Sequence, residues 1–78
     1  MPTVLRLSGY RFFFFSLEGN EPEHIHVERG DNYAKLWLGS VALARSKGFR
    51  SSEISEIMDI VRTHRLLFQD RWDEHFNR

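Results

Sequence analysis

The sequence predicts an α+β domain, a four-stranded and mainly antiparallel sheet with one long carboxyl-terminal helix packed on one face. Three observations carry that expectation. Apolar and polar residues alternate through much of the first half, and Ser-Gly and Gly-Asp pairs punctuate the alternating runs. From Ser51 to Phe76 no Gly or Pro occurs, while Ile54, Ile57, Val61, His64, Phe68, Trp72 and Phe76 recur at helical spacing. Residues 1–78 form a single domain, with the sheet over about 3–38 and the helix over about 51–76.

The first strand runs from Val4 to Leu7, and the Ser8-Gly9 turn returns the chain into a second strand from Tyr10 to about Leu17. A two-residue turn sets Leu7 opposite Tyr10 and Leu5 opposite Phe12, so Leu5, Leu7, Phe12 and Phe14 share the core face. Phe13 and Phe15 then point the other way. The polar, breaker-rich stretch from Glu18 to Glu23 reads as a solvated loop. His24 to Arg29 is a half-buried strand, Gly30 and Asp31 turn it, and Tyr33 to Leu38 returns as the fourth. That register pairs Val27 with Ala34 and Ile25 with Leu36 on the core face. Across the other face it pairs His26 with Lys35 and His24 with Trp37.

Val41 to Arg45 reads as one helical turn or an irregular crossing, ended by Gly48. Ser51 or Ser52 caps the long helix, with Glu53 and Glu56 near the positive end of its dipole. An unbroken helix over this span is roughly 39 Å long, more than the sheet beneath it, so it breaks near Gln69 and Asp70 or reaches a partner.

Composition narrows the function. Eleven Lys and Arg balance eleven Asp and Glu, which argues against a broad basic footprint for nucleic acid while leaving room for a local basic patch. Cysteine is absent, so no disulfide or thiolate zinc site can brace so small a core, and association is the remaining brace. No apolar stretch approaches the ~20 residues that span a bilayer, and Arg6 and Arg11 interrupt any signal-peptide pattern. A soluble cytoplasmic protein is expected, with no membrane partner. The sequence contains no Gly-rich phosphate loop, nucleophile elbow or zinc-protease signature, and no cofactor is implied.

Phe12 to Phe15 form an unbroken row of rings, and a strand built from them is apolar on both faces. One helix covers one face only. The other face calls for a partner, with Phe13, Phe15 and Trp37 as the contact residues. The same face carries His24, His26 and Lys35, which could supply acid, base and anion-binding groups for metal-independent cleavage of RNA. Two histidines spaced two apart could instead chelate a metal with His64, His75, Asp73 or Glu74, but the ligand count of a real site is not met and no metal is expected. Phe68, Trp72, His75 and Phe76, interleaved with Arg65, Arg71 and Arg78, suggest a stacking strip for nucleic acid. Helical spacing and the nearby Asp70, Asp73 and Glu74 favour core or interface packing instead.

The succession of a short first strand, GYRFFFFS over Gly9–Ser16, PEHIHV over Pro22–Val27, AKLWL over Ala34–Leu38 and a closing helix resembles the family called domain of unknown function 4160. The likeness runs over nearly the whole chain. Its most specific piece is His24, Ile25, His26 and Val27 after a proline, paired with Ala34 and Lys35. The chain departs from the family pattern at Glu23, where a second proline is common, and at Arg50, where a serine would cap the helix. The resemblance implies a small bacterial protein, often encoded beside a second small protein of the domain of unknown function 2442 family, in an arrangement similar to a toxin and antitoxin pair. It implies no activity. The expected function is therefore that of a protein-binding module, self-associating and forming one half of such a pair. The alternative is a metal-independent ribonuclease, with RNA as its partner, His24 and His26 as acid and base, and Lys35 on the phosphate.

Overall fold

A computed structural model of the chain describes residues 3–15 and 20–76. Five strands, β1 (Thr3–Leu7), β2 (Tyr10–Phe13), β3 (His24–Arg29), β4 (Asn32–Trp37) and β5 (Ala42–Lys47), form one antiparallel sheet in the order β1-β2-β3-β4-β5. Two helices follow, α1 (Ser51–Thr63) and α2 (Arg65–Phe76), and both send apolar side chains into the core on one side of the sheet. The α+β class and the antiparallel sheet follow the sequence expectation. The element count differs, with five strands for four and two helices for one.

The first four strands pair as their alternation requires. Ser8 and Gly9 both take positive φ, 55° and 82°, the geometry of the tight turns whose twist matches a hairpin. Leu7 accordingly faces Tyr10 and Leu5 faces Phe12, with a register shift between Thr3 and Leu5. In the second hairpin Val27 faces Ala34, Ile25 faces Leu36, His26 faces Lys35 and His24 faces Trp37. β2 ends at Phe13, and the part of its expected span at Ser16 and Leu17 lies outside the described residues.

Val41 to Arg45 is not a helical turn. Val41 turns the chain at φ 50°, and Ala42–Lys47 runs back along β4 as the edge strand. Ala, Leu, Arg and Lys favour helix locally, but a β4 left at the sheet edge would hold a row of unpaired amides and carbonyls, which β5 satisfies. A register shift between Lys35 and Leu36 marks a bulge in this last pairing.

The helical segment breaks at His64, six residues before Asp70. His64 sits at φ −105°, ψ 16°, its backbone N–H donates to the Ile60 carbonyl at 2.9 Å, and its Nδ1 donates to the same oxygen at 2.9 Å. A local side-chain hydrogen bond of this kind competes with the helix ladder. With the break the longest dimension of the molecule is 34 Å, shorter than the roughly 39 Å of an unbroken helix over this span. At the start of α1 the cap is Arg50, not Ser51 or Ser52, which lie inside the helix. Glu53 reaches back to accept the Arg50 backbone N–H at 2.8 Å, one half of a capping box, and also pairs with Arg29.

The core lies between the helices and one face of the sheet. Phe12, Phe14, Ile25, Val27, Ala34, Leu36 and Leu38 meet Ile57, Ile60, Val61, Phe68 and Trp72 there, with Phe12 stacked on Phe68 at 5.4 Å and Phe14 edge-on to Trp72 at 5.4 Å. Leu5 is half-buried against this core. Leu7 lies on the helix side by register, beside a shallow pocket it shares with Ile60 and Thr63 of α1, but is exposed and not part of the core. Besides the Arg29–Glu53 pair, two more side-chain hydrogen bonds fasten the helices to the strands and the segment leading into β3. Tyr10 Oη donates to Glu56 Oε1 at 2.7 Å, and Gln69 Nε2 donates to Glu23 Oε1 at 2.6 Å. Among the described residues no helix is long and apolar enough to cross a membrane.

Candidate partner-docking face

The face of the sheet away from the helices is set by register. Phe13, His26, Lys35 and Arg45 lie side by side in one row across β2 to β5, and Arg11, Glu28, Tyr33 and Lys47 form the next. His24 and Trp37 begin a third row at the end of the sheet where α2 passes.

His26 is the centre of this face. Its ring stacks on Phe13 at 5.4 Å and on Tyr33 at 5.7 Å, Phe15 leans on it at 4.3 Å, and its Nδ1 shares a 2.6 Å hydrogen bond with the Tyr33 hydroxyl. His24 donates from Nδ1 to the Pro22 carbonyl at 2.8 Å and packs edge-on to Trp37, His26 and Trp72. These contacts leave His24 0%, His26 1% and Phe13 2% exposed, His24 with the help of Trp72 from α2 and the other two under rings and cations of the sheet and its flanking segment.

A layer of cations covers the rings. Arg11 sits over Phe13 at 4.3 Å while donating to Glu28 at 2.6 Å and to Thr3 Oγ1 at 2.8 Å. Lys35 sits over Trp37 at 4.7 Å and pairs with Glu21 at 2.7 Å. Arg45 lies 5.8 Å from the Tyr33 ring. Such cation–π contacts contribute roughly 0.5–1 kcal/mol each when exposed.

The predicted site residues are thus brought together, but not in one role. His26 lies beside Lys35 and His24 beside Trp37, as the pairing requires. Both imidazoles are buried, so neither meets a phosphodiester in this arrangement, and Lys35 holds a carboxylate. Of the three predicted contact residues, Phe13 is spent inside the chain, Trp37 is half-buried, and Phe15 is 37% exposed. Arg11 and Tyr33 belong to the face and were legible from strand parity with Phe13 and Lys35. Arg45 and Lys47 were not, because Val41 to Arg45 reads as one helical turn or an irregular crossing and not as a strand. Among the described residues no three His, Cys, Asp or Glu side chains gather as a metal site needs.

The perturbed groups lie on the helix side instead. Burial, then the hydrogen bond to Glu56, pushes the Tyr10 hydroxyl up from 10.0 to about 12. The Arg50 backbone N–H, and then the Arg29 guanidinium, hold the Glu53 carboxyl below its ordinary value.

These features define a class: a small α+β module whose two helices shield one side of an antiparallel sheet and whose other side bears buried imidazoles under a layer of rings and cations. The sequence profile described as Domain of unknown function (DUF4160) matches residues 9–73, and the chain belongs to that family. Comparison with curated proteins and with solved structures finds no match.

Proposed function

We propose that this protein is a binding module that seats a protein partner on the helix-free face of its sheet, as one half of a pair of the toxin and antitoxin kind. The observation that carries the reading is the accessibility of Phe15, Trp37 and Tyr33 among arginines and lysines on a face that no helix covers. Partly exposed aromatic residues and Arg are the side chains that dominate interface energetics. The two histidines support this face from below. Held by Pro22 and Tyr33 and packed against rings, they fix where Trp37 and Phe15 stand. A ribonuclease role for His24, His26 and Lys35 would require both imidazoles to leave that packing.

The test is co-expression with the small neighbouring protein of the domain of unknown function 2442 family that the sequence resemblance implies. The two should co-purify, and Trp37→Ala or Phe15→Ala should weaken the complex by about 1–2 kcal/mol with circular dichroism unchanged. A complex indifferent to both substitutions would remove the helix-free face from the interaction.

A further inference from the structure

Resting on that docking reading, we propose that the partner is a different protein with an acidic contact surface, and neither a second copy of this chain nor a nucleic acid. The charge is segregated, although the chain as a whole is neutral. By register the helix-free face carries Arg6, Arg11, Lys35, Arg45 and Lys47, against Glu28 within the strands and Glu21 beside them. Arg11 and Lys35 are held by those two acids. Among the described residues Arg6, Arg45 and Lys47 have no ion-pair partner, and they stand on the outer strands β1 and β5. The face therefore has rings at its centre and uncompensated cations at both margins, the arrangement in which rim charges select the partner.

A second copy does not fit this pattern. Self-association through one two-fold patch would set the same cations against one another, and like charges across an interface suppress pairing. A nucleic acid strand fits no better. It binds such surfaces by stacking bases on bare rings while its phosphates track an uninterrupted basic groove. Here Phe13, Trp37 and Tyr33 each have a cation over the ring, and Glu21 and Glu28 interrupt the basic surface. A protein can place separate carboxylates opposite Arg6, Arg45 and Lys47 and an apolar side chain opposite Phe15, which no polyanion of fixed spacing does.

The experiment titrates three probes into the purified protein and reads the change in fluorescence at Trp37, with the emission of buried Trp72 as a constant background. The probes are a synthetic peptide alternating Glu with Val, its counterpart alternating Lys with Val, and a uridine oligonucleotide. The Glu peptide should bind, the Lys peptide should not, and the oligonucleotide should bind more weakly than the Glu peptide. Arg45→Glu combined with Lys47→Glu, both exposed, should weaken the Glu peptide by about tenfold. Equal binding of both peptides, tighter binding of the oligonucleotide, or no binding of the Glu peptide overturns the proposal. Binding that survives the charge reversal but is lost in Phe15→Ala keeps the docking face and overturns its acid selectivity. Binding unchanged by either substitution removes the docking face itself.

Discussion

His26 illustrates how a polar residue becomes structural. Its neighbours supply two stacked rings, a third leaning ring and a 2.6 Å hydrogen bond, so its position is fixed on every side that the strand does not already occupy. His26→Ala should cost about 2–4 kcal/mol, from a cavity and an orphaned Tyr33 hydroxyl, and a denaturant titration should show the loss. Strand periodicity revealed that His24 and His26 share one face with Lys35 and Trp37, and left open which face the helix covers. It did not reveal their burial, which depends on Trp72 arriving from forty-eight residues beyond His24 and on Phe15 folding back over His26. Tyr10 gives a test of its own. Its folded value of about 12 lies above the ordinary 10, so its contribution is complete below pH 10 and is lost as pH rises towards 12. Tyrosinate absorbance should show one group titrating late, and Tyr10→Phe should remove that step at a cost of about 1 kcal/mol.

At the scale of elements, the hairpins were readable because the turn residues and the alternation agree. β5 was not. Its sequence, ALARSK, has helical preference and little apolar alternation, and its conformation comes from the open edge of β4. Gly48 closes this strand at φ 91°, where an added Cβ would collide with the Asn32 side chain, so Gly48→Ala should destabilise the domain by more than about 1 kcal/mol in thermal unfolding. The helix was legible as a stripe, whereas its break at His64 depends on a ring that donates to a carbonyl one turn back. The entry to α1 rests on Glu53, whose value is lowered in the fold. Its contribution is present above the ordinary carboxylate range, near pH 4.3, and is lost as pH falls below it. Glu53→Gln should lower stability at neutral pH and flatten its decline on acidification, as followed by circular dichroism.

For the whole molecule, the balance of eleven positive and eleven negative side chains conceals an uneven distribution. The strands hold Arg6, Arg11, Arg29, Lys35, Arg45 and Lys47 against Glu28, while acids outnumber bases on both helices. Light scattering over a concentration series should therefore find a monomer at physiological ionic strength, and a dimer that survives dilution would contradict the repulsion argued for the cationic face. Composition alone could not show this, because it counts charges without assigning them to faces. The topology has a further consequence for synthesis. Every strand pairs with its neighbour in sequence, so the sheet can assemble as it leaves the ribosome, whereas the Tyr10–Glu56 and Gln69–Glu23 bonds each wait for a residue 46 positions away. Until the last third of the chain emerges, Phe12, Phe14 and Ile25 are uncovered. The helix side, whose centre is buried in the finished protein, is then the side on which a nascent chain is most prone to aggregate.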